Sequence, residues 1–124
     1  MGITLGKYIW HNGNYTEWEN ANTHIMSHVI HYGSSVFEGI RVYDTHLGPA
    51  VYRLPDHIMR LFDSAKIYRM DLPFSPEEIV QACVDTVKKN EFGACYIRPV
   101  VFRGYGAFGV NPMENPFSSA SLPK

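Results

Sequence analysis

Residues 36–43, Val-Phe-Glu-Gly-Ile-Arg-Val-Tyr, constrain the fold more than any other stretch. Read as a strand, the run sends alternate side chains to opposite faces. Phe37, Gly39, Arg41 and Tyr43 then share one face, and Val36, Glu38, Ile40 and Val42 the other. Turn formers follow at residues 44–49, Asp-Thr-His-Leu-Gly-Pro, and residues 50–54 return as a partner strand. A ring, a glycine and a guanidinium side by side make a wall suited to a small anionic ligand, with Gly39 leaving room beside the backbone. A buried strand with a glycine bulge is the plainer reading of the same residues.

Two helices follow. Pro55 and Asp56 are helix-start signals, and Ile58, Leu61, Phe62, Ala65 and Tyr68 recur at helical spacing, with Arg60 at the border of that stripe. Ser75-Pro76-Glu77-Glu78 opens a second helix with a cap, a proline at the first position and a glutamate at the third. Ile79, Ala82, Cys83, Thr86 and Val87 form its inner face, and Gly93 is placed to end it. Before these helices, Tyr8–His11, the Asn12-Gly13 turn and residues 15–18 read as a hairpin, after a loose lead-in at residues 1–7. After them, residues 94–103 read as a further strand. The fold class is therefore α+β, an antiparallel sheet with two main helices. From Met113 the chain is Pro/Ser-rich without periodicity, so an irregular tail at 113–124 is expected after a domain of residues 1–112.

Composition narrows the function. The chain has 124 residues, one ordinary domain, and a net charge of −1 with no basic block, which argues against nucleic acid as partner. No apolar run is long enough to span a bilayer, and the amino terminus lacks a secretory pattern. Cys83 and Cys95, without paired spacing, read as core thiols of a cytoplasmic protein. Eight Tyr, seven Phe and two Trp suit a ligand pocket, an interface or a ring-rich core.

Two groups of residues carry chemistry. On residues 94–103 alternation places Tyr96 and Arg98 on one face, a hydroxyl and a guanidinium together, able to hold a carboxylate. The alternative is a surface pair on an edge strand, which Pro99 would tolerate. His24, His28 and His31 sit at i, i+4 and i+7, a zinc spacing on a helix. Gly33 and the β-branched neighbours argue against such a helix, and capping or polar histidines are expected instead of a metal site. Gly104, Gly106 and Gly109 lack the strand–glycine–helix order of a phosphate loop.

Taken together, several motifs in order resemble the small N-terminal domain of the branched-chain amino acid aminotransferases. These are pyridoxal-phosphate enzymes of fold type IV, the D-amino-acid-aminotransferase-like fold. The matching residues are Met26-Ser27-His28, His31-Tyr32-Gly33, residues 35–41, Arg60-Leu61, residues 63–66, residues 96–99 and residues 109–112. The resemblance implies that Arg60 grips the cofactor phosphate. It implies that Phe37, Gly39 and Arg41 form the substrate-side wall, and that Tyr96 and Arg98 receive the distal carboxylate of glutamate or 2-oxoglutarate. Tyr32 and Val110 are implied to reach the active site of a neighbouring subunit, hence a homodimer. The reaction implied is amino transfer between Leu, Ile or Val and 2-oxoglutarate, a step of amino-acid biosynthesis. An Arg-x-His pair in place of Tyr96-x-Arg98 marks the D-amino-acid branch, so Tyr96 and Arg98 favour the branched-chain side over a D-amino-acid aminotransferase or aminodeoxychorismate lyase.

One departure matters. In the resembled family the Schiff-base lysine belongs to a larger C-terminal domain, and none of Lys7, Lys66, Lys88, Lys89 and Lys124 occupies a matching position. These 124 residues are therefore expected to be a fragment, inactive alone and not binding pyridoxal phosphate unaided, with no catalytic residue of their own. A non-catalytic α+β dimerisation module is the competing class.

Overall fold

The computed structural model describes residues 5–106 and the backbone of residues 117–122. An opening hairpin joins β1 (Tyr8–His11) to β2 (Asn14–Glu17) through a turn in which Asn12 and Gly13 both have positive φ, 50° and 92°. That geometry matches the twist of the strands and is why an Asn-Gly pair sits there. A short helix α1 (His28–Tyr32) precedes β3 (Ser35–Phe37), β4 (Ile40–Thr45) and β5 (Gly48–Val51). Helices α2 (Leu54–Ile67) and α3 (Pro76–Asn90) follow, then β6 (Cys95–Arg103) and β7 (Phe117–Leu122). The sheet is antiparallel, in the order β2-β1-β7-β6-β4-β5, with β3 also paired to β6.

The expected strand at 36–43 is two strands, interrupted at Glu38–Gly39 in the manner of the glycine-bulge reading. Across the break the Glu38 N–H donates to the Pro99 carbonyl at 3.1 Å. The two-sided pattern survives the break: Val36, Glu38, Ile40 and Val42 are buried, while Phe37, Arg41 and Tyr43 are exposed. The following hairpin is tighter than the sequence suggests. Only His46 and Leu47 lie between the strands, and the Thr45 hydroxyl bridges the turn by donating to the Gly48 carbonyl at 2.6 Å.

Both helices pack on the Val36–Val42 face. Ile40, Ile58, Leu61 and Ile97 are at most 1% exposed, each contributing on the order of 2–3 kcal/mol by burial. Ser75 caps α3 as read: its hydroxyl accepts the Glu78 N–H at 3.2 Å, and the Glu78 carboxylate accepts the Ser75 N–H. Three details depart from expectation. Tyr68 falls just past the end of α2 and points outward, and Met70 is buried in its stead. The Arg69 N–H donates to the Lys66 carbonyl and the Met70 N–H to Ala65, a Schellman ending that turns the chain so that Met70 re-enters the core. Glu91, not Gly93, takes the left-handed position after α3, at φ 58°.

The third departure is in the sheet. Residues 117–122 are a strand between β1 and β6, not part of an irregular tail. Backbone pairing on both edges makes that strand, and it leaves no periodic signature in Phe-Ser-Ser-Ala-Ser-Leu. β6 is consequently central, not an edge, and Pro99 lies opposite the gap between β3 and β4, where the ladder is already broken. The lead-in is anchored at its end: buried Asn90 accepts the N–H groups of Lys7 and Tyr8 at 2.7 and 2.9 Å. Among the described residues no helix is long and apolar enough to cross a membrane.

Candidate functional site

α2 and α3 cover one face of the sheet and leave part of the other open. On that open face β3, β4 and β6 bring four of the predicted residues together. The Arg98 guanidinium lies over the Phe37 ring, 4.6 Å from its centroid, and its Nη2 donates to the Tyr96 hydroxyl at 3.3 Å. Arg41 is the direct cross-strand partner of Tyr96, so their side chains share this face. Arg41 also borders a shallow hollow of about 300 Å³ with Tyr43, Ala94 and Cys95.

Gly39 serves a purpose other than the one expected from sequence. A Cβ there would collide with the Tyr96 hydroxyl and come within 2.7 Å of the ring carbon bearing it. The missing side chain thus makes room for Tyr96 rather than directly for a ligand. Gly39→Ala is expected to push the Tyr96 hydroxyl aside, break its bond with Arg98 and cost about 1–2 kcal/mol, since the overlap is with the end of a side chain. Thermal unfolding and the Tyr96 ring signals in NMR check this; unchanged ring signals would count against it.

The electrostatics of the open face are unbalanced. Among the described residues no carboxylate pairs with Arg98 or Arg41. Two guanidinium groups beside a phenol and a phenyl ring make a surface complementary to an anion that carries an apolar portion.

The helix-covered face holds a second group. Arg60, predicted as the phosphate ligand, is clasped by Glu38: Nε donates to both carboxylate oxygens at 3.0 Å and Nη2 to Oε1 at 2.8 Å. His57 Nδ1 lies 2.8 Å from the same Oε1. Burial pushes the Glu38 carboxyl upward, but hydrogen bonds and charge from Arg60 and His57 outweigh it and hold the group below its ordinary value. Arg60 is nonetheless outward-facing, its side chain 69% exposed, and lines a hollow of about 350 Å³ with Tyr52, Arg53, Asp56 and His57. Arg53 takes a left-handed backbone at φ 50° just before α2 and pairs with Asp56 at 2.9 Å.

Glu38 and His57 are absent from the sequence-derived site. The signal was present: a carboxylate alternating with Val36, Ile40 and Val42 on a buried face requires a cation nearby, and Arg60 borders the inward stripe. Tyr32, at the end of α1, is 45% exposed with its ring 4.5 Å from that of His28. Val110 lies outside the described residues, as do the other members of the 109–112 motif.

The histidines do not share a helix face, because α1 begins only at His28. His24 Nδ1 accepts the Met26 N–H, His28 Nδ1 meets the Ser34 hydroxyl at 2.8 Å, and His31 Nε2 meets the Ile25 carbonyl at 3.0 Å. Cys83 is buried, its thiol pushed up to about 12 by burial, and Cys95 is half-buried; neither is in a disulfide.

Residues 35–122 match the profile of the amino-transferase class IV family, and the chain belongs to that family. The chain is similar to the branched-chain-amino-acid aminotransferase of Escherichia coli K12, 53% identical over 112 residues, covering 90% of this chain and 36% of that protein. It is 39% identical over 106 residues to a putative branched-chain-amino-acid aminotransferase of Methanocaldococcus jannaschii, covering 86% of this chain and 35% of that protein. It thus spans about a third of the length of these relatives. Its fold superposes on the E. coli branched-chain aminotransferase crystal structure with TM-score 0.92 at 47% identity, over 96% of this chain and 40% of that one. For the T.th. branched-chain amino acid aminotransferase complexed with 4-methylvaleric acid the score is 0.93 at 46% identity, over 98% and 41%. The fold is that of the small domain of the fold type IV aminotransferases.

Proposed function

We propose that the chain serves a branched-chain amino acid transaminase, which exchanges the amino group of Leu, Ile or Val with 2-oxoglutarate. Residues 1–124 contribute the substrate-side wall and one grip on pyridoxal 5'-phosphate. The observation that carries this reading is the Arg98 guanidinium, laid on the Phe37 ring, bonded to Tyr96 and without a carboxylate partner among the described residues. A transaminase of this class must accept an aliphatic chain and a distal carboxylate in one place. The Phe37 and Tyr96 rings suit the first, and Arg98 with the Tyr96 hydroxyl suits the second. Arg41 adds positive charge beside them. The relative complexed with 4-methylvaleric acid, a branched monocarboxylate, and the same protein complexed with N-(5'-phosphopyridoxyl)-L-glutamate carry these two chemistries.

The second group fits a phosphomonoester. Arg60 uses one edge of its guanidinium on Glu38 and keeps its other N–H groups for the hollow that Arg53 and His57 also line. Pyridoxal phosphate, when bound, supplies the electron sink for amino-group exchange. Further parts of the same reading are a homodimer in which Tyr32 and Val110 reach the neighbouring subunit, and a cytoplasmic setting suited to two free thiols.

The test is a titration of the 13C,15N-labelled chain with glutarate and with 4-methylvalerate. Glutarate is expected to shift the Arg98 Nε–H and Tyr96 ring signals saturably, while 4-methylvalerate shifts chiefly the Phe37 and Tyr96 rings. Arg98 and Tyr96 signals indifferent to glutarate would sink the reading.

A further inference from the structure

We infer that Glu38 is a positioning residue for the phosphate grip. It fixes the Arg60 guanidinium in one orientation, with the N–H groups it does not use turned to the hollow lined by Tyr52, Arg53, Asp56 and His57. The inference rests on the reading of Arg60 as a phosphate ligand. The geometry is asymmetric. Glu38 is 6% exposed and anchored in the broken strand by its own N–H, whereas the Arg60 side chain is 69% exposed. A long side chain of that exposure samples many rotamers unless something fixed holds it, and an ordered arginine loses less freedom when it binds. Glu38 is that fixed point. Both of its carboxylate oxygens engage one edge of the guanidinium, and no other hydrogen-bond or ion-pair partner of Arg60 occurs among the described residues. His57, one turn earlier on α2, bonds the same oxygen and holds the carboxylate against rotation. The neighbouring Arg53–Asp56 pair is built differently: both partners are largely exposed, an i,i+3 surface contact with no buried anchor.

A carboxylate beside a phosphate site also repels the phosphate, so two roles predict opposite results. Were Glu38 merely a competitor, Glu38→Gln would tighten phosphate binding. As a positioning residue, Glu38→Gln and Glu38→Asp both weaken it, by roughly 3- to 10-fold, the first through loss of the two-oxygen clasp and the second through loss of reach.

The experiment titrates the 15N-labelled chain with inorganic phosphate at about pH 8, where the anion is doubly charged. It reads the Arg60 Nε–H signal in the unmodified chain, Glu38→Gln, Glu38→Asp and Arg60→Met. Before any ligand is added, 15N relaxation of the unmodified chain should show Arg60 Nε as rigid and Arg53 Nε as more mobile. An Arg60 Nε as mobile as that of Arg53 would overturn the inference whether or not the variants fold. Phosphate binding abolished by Arg60→Met and weakened in both Glu38 variants is the expected result. Binding abolished by Arg60→Met but equal or tighter in Glu38→Gln overturns the positioning role and leaves the phosphate reading intact. Binding unaffected by Arg60→Met overturns both.

Discussion

Replacing Arg103 by methionine is expected to destabilise the fold by about 2–4 kcal/mol. Arg103 is 1% exposed at the end of β6, on the face that α2 and α3 cover. Its Nη2 donates to the carbonyls of Tyr68 and Arg69, both at 3.2 Å. Those carbonyls belong to the turn that closes α2, where the last peptide groups have no partner within the helix and the dipole is negative. Burial lowers the pKa of Arg103, yet a guanidinium remains charged in a protein. Methionine restores most of the volume but supplies no donor, so two carbonyls in a half-buried turn lose a charge-assisted bond. The saving from no longer burying a charge offsets part of that loss, which is why the estimate is below the sum of two such bonds. Thermal unfolding should show a fall of roughly 10–25 °C for a domain of this size. Arg103→Lys keeps the charge without the planar fork and should fall between the two. A methionine variant as stable as the parent would show that Arg103 is held for something other than the helix end.

Arg103 also marks the boundary of what the sequence discloses. Alternation along residues 94–103 correctly separates Tyr96, Arg98, Val100 and Phe102 from Ile97, Val101 and Arg103. It does not say that an arginine is tolerated on the buried side, because its compensation lies at positions 68 and 69. Asn90 is similar: a polar residue on the inner face of α3 looks out of place until β1 is laid beside it. Local signals, by contrast, are mostly legible, the ends of α2 and α3 at Tyr68 and Glu91 being the exceptions. The Asn12-Gly13 turn, the Ser75–Glu78 capping box and the apolar stripes of α2 and α3 are decided by residues a few positions apart. β7 is the opposite case, made by two neighbouring strands and invisible in its own residues.

The candidate site divides along the same line. Phe37, Gly39, Tyr96 and Arg98 follow from alternation plus family resemblance, and they meet. The reason for Gly39 does not follow, since only the packed sheet shows the Tyr96 hydroxyl in the space a Cβ would fill. The clasp of Glu38 on Arg60 spans 22 residues and joins a strand break to a helix. Each half is visible in the sequence as an anomaly, a carboxylate on a buried face and an arginine at the edge of an apolar stripe. Only the register of α2 over β3 and β4 pairs them.

On the proposed reading of the site, replacing Arg98 by methionine is expected to weaken selection for a second carboxylate sharply while sparing the apolar part of the site. Arg98 is half-buried, stacked on Phe37 and bonded to Tyr96, so the substituted side chain keeps the contact with the Phe37 ring and the fold. What is lost is a charged fork, and the incoming carboxylate is then left with the Tyr96 hydroxyl and the more distant Arg41. Hydrogen bonds to charged groups are worth about 1.5–3 kcal/mol each, so affinity for glutarate should fall roughly 10- to 100-fold. Affinity for 4-methylvalerate, whose aliphatic end needs no cation, should change by less than about 3-fold. The ratio of the two affinities is the informative quantity, because general damage to the site lowers both together. Arg41→Met provides the internal control: a longer-range charge should reduce glutarate affinity by a smaller factor and become negligible at high salt, whereas the Arg98 effect persists. Equal losses for both ligands in Arg98→Met would mean that the guanidinium is a prop for the Phe37 ring, not a receiver of carboxylates.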